Sequence, residues 1–220
     1  MFGRHIPFLV ALCALLSGAA CTRPLASGER ALARDVFGQS LNVEKVRVAK
    51  GFGLAPPPTS TPLPPVTGGG IAPRPGICDR VPRDGPAGPP PAFALYNRVH
   101  MMGRFYKTDT AYQWPEKVLL PEALIMAHEL THVWQWQNRK RTGYRPAREA
   151  LESVFNLDPY FYTPEQGDGF LTYGYEQQGA LVEDYLCFAI LDPANPRRTE
   201  VRDIIAPYFE VDRIDAALSR

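Results

Sequence analysis

The first unbroken run of apolar residues along the chain is Phe8 to Leu16, preceded by one fixed side-chain charge, Arg4. The small residues Ser17, Gly18, Ala19 and Ala20 follow. This pattern has the n-region, h-region and cleavage site of a secretory signal, and it is too short to span a bilayer, which takes about 20 apolar residues. Residues 1–20 are therefore expected to direct export. Beyond them the pattern turns periodic. Leu32, Val36 and Phe37 follow helical spacing that ends at Gly38, and Leu41 to Val48 alternates with a parity change near Glu44, which predicts a turn and then a strand. Periodicity vanishes between Gly51 and Pro91 and returns as strand character from Ala92 to Tyr106, with a bend at Gly103. Pro121 opens a helix that runs to about Lys140 and stops before Gly143. Further helices are expected over Arg145–Phe155, over Gly174–Leu191 and between Thr199 and Leu218, with an aromatic loop from Asp158 to Tyr173. Strands early and helices late describe an α+β domain.

Composition refines this layout. Hydrophobic residues make up 45% of the 220 and aromatics 11%, enough for a packed core. A net charge of +1 provides no basic field for nucleic acid and no acidic tail. Thirteen of the 23 prolines fall between Pro56 and Pro91. Residues 51–91 thus read as a Pro/Gly-rich insertion or linker with polyproline II character, dispensable apart from any anchor at Cys78. Residues 21–50 and 92–220 are left to form the domain.

Cysteines bear on location and stability. Leu15-Leu-Ser-Gly-Ala-Ala-Cys21 resembles a bacterial lipobox, although Gly18 stands where a larger aliphatic residue is usual; ordinary signal-peptidase cleavage after Ala20 is the other reading. Lipidation of Cys21 would anchor the protein in the cell envelope through a tether of roughly 30 residues before the first strand, whereas simple cleavage would leave it periplasmic or secreted. Cys78 and Cys187 form an even pair in an oxidising compartment. A bridge between them would close a loop of more than a hundred residues, worth roughly 4–5 kcal/mol in the chain-entropy model. A buried Cys187 and a Cys78 that never meets it is the alternative.

His128-Glu129-Leu-Thr-His132 lies within the Pro121 helix. At about 100° per residue the two imidazoles sit about 40° apart and one turn up, so both can reach one ion, while Glu129 points about 100° away and is left to act as a base. Two imidazoles and a carboxylate with one open position suit Zn2+, whose Lewis acidity activates water for hydrolysis. A third ligand is needed. Gln135 and Asn138 stand at the third and sixth residues after His132, where a metzincin has glycine and histidine, so that class is excluded. His100 is upstream in a strand. Glu176 and Glu183 on the Gly174–Leu191 helix share one face about 10 Å apart, so only one can bind the same ion. Glu176 is the preferred ligand because Gly179 and Ala180 beside it allow close helix approach. Tyr160, Tyr162, Tyr173 and Tyr175 are candidate oxyanion donors.

The run His128-Glu-Leu-Thr-His-Val-Trp-Gln with Glu176-Gln-Gln-Gly resembles the minor gluzincin family of zinc metallopeptidases. It is most similar to the metallopeptidase-like domain of unassigned function in bacterial contractile-injection-system core proteins. The resemblance implies a small antiparallel sheet packed on a zincin-type helical core, and a peptide or protein substrate. It further implies metal ligands His128, His132 and Glu176, with Glu129 as catalytic base. Gluzincins often carry an aspartate four residues after the ligand glutamate to orient a histidine. Ala180 occupies that position here, so Asp184 becomes the candidate for the role. A non-catalytic, zinc-stabilised envelope module that binds a partner uses the same ligands and stays open as the alternative.

Overall fold

The computed structural model describes residues 21–61, 72–83, 85, 88–148 and 158–219. The expected export signal and most of the expected Arg145–Phe155 helix lie outside them. Helix α1 (Ser27–Phe37) buries Leu32, Ala33, Val36 and Phe37 and ends at Gly38, whose φ of 53° suits glycine. Its N-terminus is fixed by the buried Glu29, which accepts from the Ala26 N–H at 2.8 Å and from both Arg23 Nη atoms at 2.6 and 2.8 Å.

Four short strands form one sheet: β1 (Arg23–Pro24), β2 (Arg47–Lys50), β3 (Ala92–Leu95) and β4 (Arg98–Met101), in the order β1-β2-β4-β3. β3 and β4 are a hairpin turned at Tyr96, which takes φ 57°, and β1 lies antiparallel on β2. β2 and β4 run parallel, with Val48 opposite Val99 and Ala49 opposite His100. The sheet is therefore mixed, which corrects the expectation of an antiparallel one. The reason is topological: the long segment between β2 and β3 supplies the crossover that parallel neighbours need, and its lack of periodicity conceals the pairing. The tether expected before the first strand is also corrected, since β1 starts two residues after Cys21.

Helix α2 (Glu122–Gln137) is the central element, packed on the β3–β4 hairpin, on α1 and on helix α3 (Tyr175–Leu191). Buried residues run almost without interruption from Glu122 to Gln135, as befits a helix covered on nearly every side. One further turn, Arg139–Thr142, is capped by Gly143 in the left-handed region at φ 68°. Trp134 is fully buried in an aromatic cluster with Phe170, Tyr208 and Phe209, the last two on the connection between helices α4 (Arg197–Ile205) and α5 (Val211–Leu218). Among the described residues no helix is long and apolar enough to cross a membrane.

Residues 72–83 of the proline-rich segment lie along α3. The Arg74 N–H donates to Leu191 O at 2.6 Å and the Gly76 N–H to Asp192 Oδ2 at 2.8 Å. Cys78 is bridged to Cys187, and Arg80 pairs with Asp184. The strap is thus fixed at several points, more than the expectation of a dispensable linker with a single anchor allowed.

Candidate metal centre

Helices α2 and α3 face each other where the histidines and the glutamate meet. His128 Nε2 lies 3.1 Å from Glu176 Oε2, His132 Nε2 lies 3.4 Å from the same oxygen, and the two Nε2 atoms are 3.2 Å apart. All three residues are buried, at 6%, 2% and 7% exposure. His128, His132 and Glu176 can together hold a metal ion.

Bonds of about 2.0–2.2 Å to a tetrahedral zinc place neighbouring ligand atoms about 3.3–3.5 Å apart, close to the observed triangle. Proton positions argue the same way. Gln135 donates through Nε2 to Tyr175 O at 3.2 Å and to Gln178 Oε1 at 2.9 Å, which fixes its Oε1 as the acceptor facing His132 Nδ1 at 2.9 Å. Glu183 Oε2, 3.2 Å from His128 Nδ1, also only accepts. Both imidazoles therefore carry hydrogen on Nδ1 when neutral. Their Nε2 lone pairs then converge with the Glu176 carboxylate, an arrangement that calls for a cation. The residues fit zinc.

Electrostatics of the metal-free protein agree. Burial opposes charge on His128, yet the hydrogen bonds its protonated ring donates to Glu176 and Glu183 prevail and hold its pKa up at about 9. Burial would raise Glu176, but the His132 charge and hydrogen bonds from both histidines hold its carboxyl well below the usual range. Without an ion, a proton supplies the positive charge the cluster needs.

The other sequence candidates separate clearly. Glu183 does not join the ligand triangle; it lies behind His128 on the Nδ1 side. Asp184, the expected orienting carboxylate, bonds instead to Arg80 at 2.6 and 2.9 Å and to the Tyr162 hydroxyl at 2.8 Å. This corrects its assignment, and the helix gives the reason. Seven residues after Glu176 bring Glu183 back to within about 20° of the same face, whereas Asp184 is turned about 80° away. His100 is remote from the triangle, stacked on Phe93 at 4.4 Å and bonded to Gly51 O at 2.9 Å.

Glu129 is buried on α2 beside the histidines. Tyr160 meets the His128 ring at 5.7 Å between centroids. Burial, followed by the charges of Glu176, Glu129 and Glu183, pushes its hydroxyl above the ordinary tyrosine range, so Tyr160 stays protonated and can donate. The remaining tyrosines have structural partners: Tyr162 bonds Asp184, Tyr173 bonds Pro164 O at 2.6 Å, and Tyr175 bonds Gly143 O at 2.8 Å. Sequence reasoning missed the parts that Gln135, Gln178 and Arg80 play around the cluster. Their only local signal is a glutamine three residues after His132, and the rest depends on packing between distant segments.

No protein-family model matches the chain, and no curated protein matches it. Among solved structures, the effector domain of Pseudomonas aeruginosa VgrG2b is similar, with 25% identity over 90% of this chain and 97% of that chain, at a TM-score of 0.48.

Proposed function

We propose that the protein is a zinc-dependent peptidase of gluzincin type, with His128, His132 and Glu176 as ligands and Glu129 as the catalytic base. The observation that carries this reading is the convergence of two Nε2 lone pairs and a carboxylate oxygen in a buried triangle of 3.1–3.4 Å. Zinc in such a site supplies Lewis acidity, which acidifies water and polarises a carbonyl.

Side chains do the rest. Glu129 takes the proton of the attacking water and passes it to the departing amine. The Tyr160 hydroxyl donates to the carbonyl oxygen as charge develops there, and it is available because its own pKa is raised. Glu183 and Gln135 hold the imidazoles with Nε2 inward, so little reorganisation accompanies the reaction.

A peptide or protein is the substrate class, and the protein acts in the cell envelope or beyond it after export. Cys21, a free and partly exposed cysteine, is the attachment point for lipid. With β1 starting two residues later, such an anchor would hold the domain close against the membrane surface.

Cleavage of an unfolded, fluorescence-quenched protein substrate by the zinc-loaded chain tests the proposal. Activity should disappear in Glu129→Gln while zinc is retained, because the change removes the base and leaves the ligands. Zinc-loaded wild type that cuts no substrate would instead favour a zinc-stabilised binding module.

A further inference from the structure

The strap at 72–83 runs antiparallel to α3: Arg74 and Gly76 are held at the C-terminal end of that helix, and from there the contacts move towards the metal centre. Arg74 meets Leu191, Gly76 meets Asp192, Cys78 meets Cys187, and Arg80 meets Asp184 and Glu183. The last two contacts matter for the site. Glu183 Oε2 accepts from Arg80 Nη2 at 3.4 Å and faces His128 Nδ1 at 3.2 Å, so one oxygen links the guanidinium to a candidate metal ligand. Asp184 engages Arg80 through Nε at 2.9 Å and Nη2 at 2.6 Å, a two-point grip that fixes the plane of the fork. Cys187 lies one helical turn after Glu183 on the same side of α3, and Cys78 lies two residues before Arg80. The disulfide and the Arg80 contacts are therefore adjacent fastenings between the same two segments.

We propose that Arg80 is a positioning residue for the metal centre, acting through Glu183 on His128, and that the Cys78–Cys187 disulfide delivers it. This deepens the metal-site reading and rests on it. Arg80 fixes the Glu183 carboxylate, which in turn fixes the tautomer and tilt of His128. Without the bridge the arginine must be placed from a proline-rich segment that contributes little apolar surface of its own. Closing the bridge joins the two Sγ atoms and passes two electrons and two protons to a disulfide-bearing oxidant, which leaves as a dithiol. The site is thus completed in an oxidising compartment and is looser in a reducing one, which confines tight metal binding to the exported protein.

Competition with a chromophoric chelator gives the zinc affinity of the full chain, and the visible absorption of the Co2+ form reports ligand geometry. Glu183→Gln should weaken zinc binding by about 10–100-fold. Arg80→Gln should weaken it by about tenfold, and both should shift the Co2+ bands. The double variant should be no weaker than Glu183→Gln alone, because Arg80 acts through that carboxylate; a purely structural arginine gives additive losses. Cys78→Ser with Cys187→Ser should reproduce the Arg80→Gln affinity in a folded protein. Since Arg80→Gln strands the buried Asp184 carboxylate, the comparison is repeated with Asp184→Asn throughout, so that no variant leaves that carboxylate without its arginine. Wild-type affinity and spectrum in Arg80→Gln, or additive losses in the double variant, overturn the proposal while leaving the metal site standing. A wild-type chain that binds no zinc removes both.

Discussion

The backbone of Gly179 lies against the imidazole of His128: a Cβ built on that glycine would stand 2.7 Å from both Cε1 and Nε2 of the ring. A real Cβ does not come so close, so the glycine is what lets α3 bring Glu176 up to the two histidines. Overpacking at a fixed contact costs about 1–3 kcal/mol. Gly179→Ala should accordingly weaken zinc binding by roughly tenfold or more, measured by chelator competition. Gly88→Ala, where the added carbon meets nothing within 4 Å, serves as the control and should leave affinity unchanged.

The metal-free cluster predicts a pH dependence of stability. His128 is raised from 6.5 to about 9 in the folded protein, so its contribution is complete below about 6.5 and disappears as pH rises through 9. Glu176 is depressed, so its contribution is present above about 4.5 and is lost only at lower pH. Between pH 6.5 and 9 the metal-free protein should therefore lose thermal stability, while the zinc-loaded protein changes little. Proton and metal compete for the same Nε2, so apparent zinc affinity should rise about tenfold per pH unit up to pH 9. A metal-free melting temperature that stays flat over this range would show that the carboxylates do not hold a proton on His128.

Tyr160 should matter to turnover and not to the metal. Losing a donor to the developing oxyanion typically costs about 100-fold or more in kcat. Tyr160→Phe should show a loss of that order with zinc content intact. Tyr173→Phe, whose hydroxyl is committed to Pro164 O, should retain nearly full kcat. Equal losses in both variants would remove Tyr160 from the reaction.

Attachment through Cys21 is tested by fractionation. Wild type should sediment with membranes and carry acyl mass at its N-terminus, and Cys21→Ala should become soluble. Wild type that is already soluble with an unmodified Cys21 thiol contradicts the anchor.

Local features were legible in the sequence because local rules govern them. The spacing of His128 and His132 on a helix opened by Pro121, the stop at Gly143, the aligned face of Glu176 and Gly179, and the closure of α3 at Asp192 all follow from helix geometry. What stayed hidden depends on chain segments meeting at long range. The parallel pairing of β2 with β4 is decided by a crossover that carries no periodic signal. Arg80 is one charge in a proline-rich stretch until the strap lies on α3, 103 or 104 residues away in sequence. The respective roles of Glu183 and Asp184 turn on about 100° of helix rotation, and His128 Nδ1 and Arg80 decide them. The sequence offered both carboxylates as candidates; their neighbours assign them.

Every role proposed for the site depends on His128, His132 and Glu176 binding one zinc ion. Elemental analysis of the purified chain after dialysis against metal-free buffer tests it directly, with His132→Ala and Glu176→Gln treated alongside. About one zinc per wild-type chain is expected, almost none in His132→Ala, and a lowered content in Glu176→Gln, with all three folded by circular dichroism. Equal zinc in wild type and His132→Ala, or a wild-type chain that retains none, would contradict it.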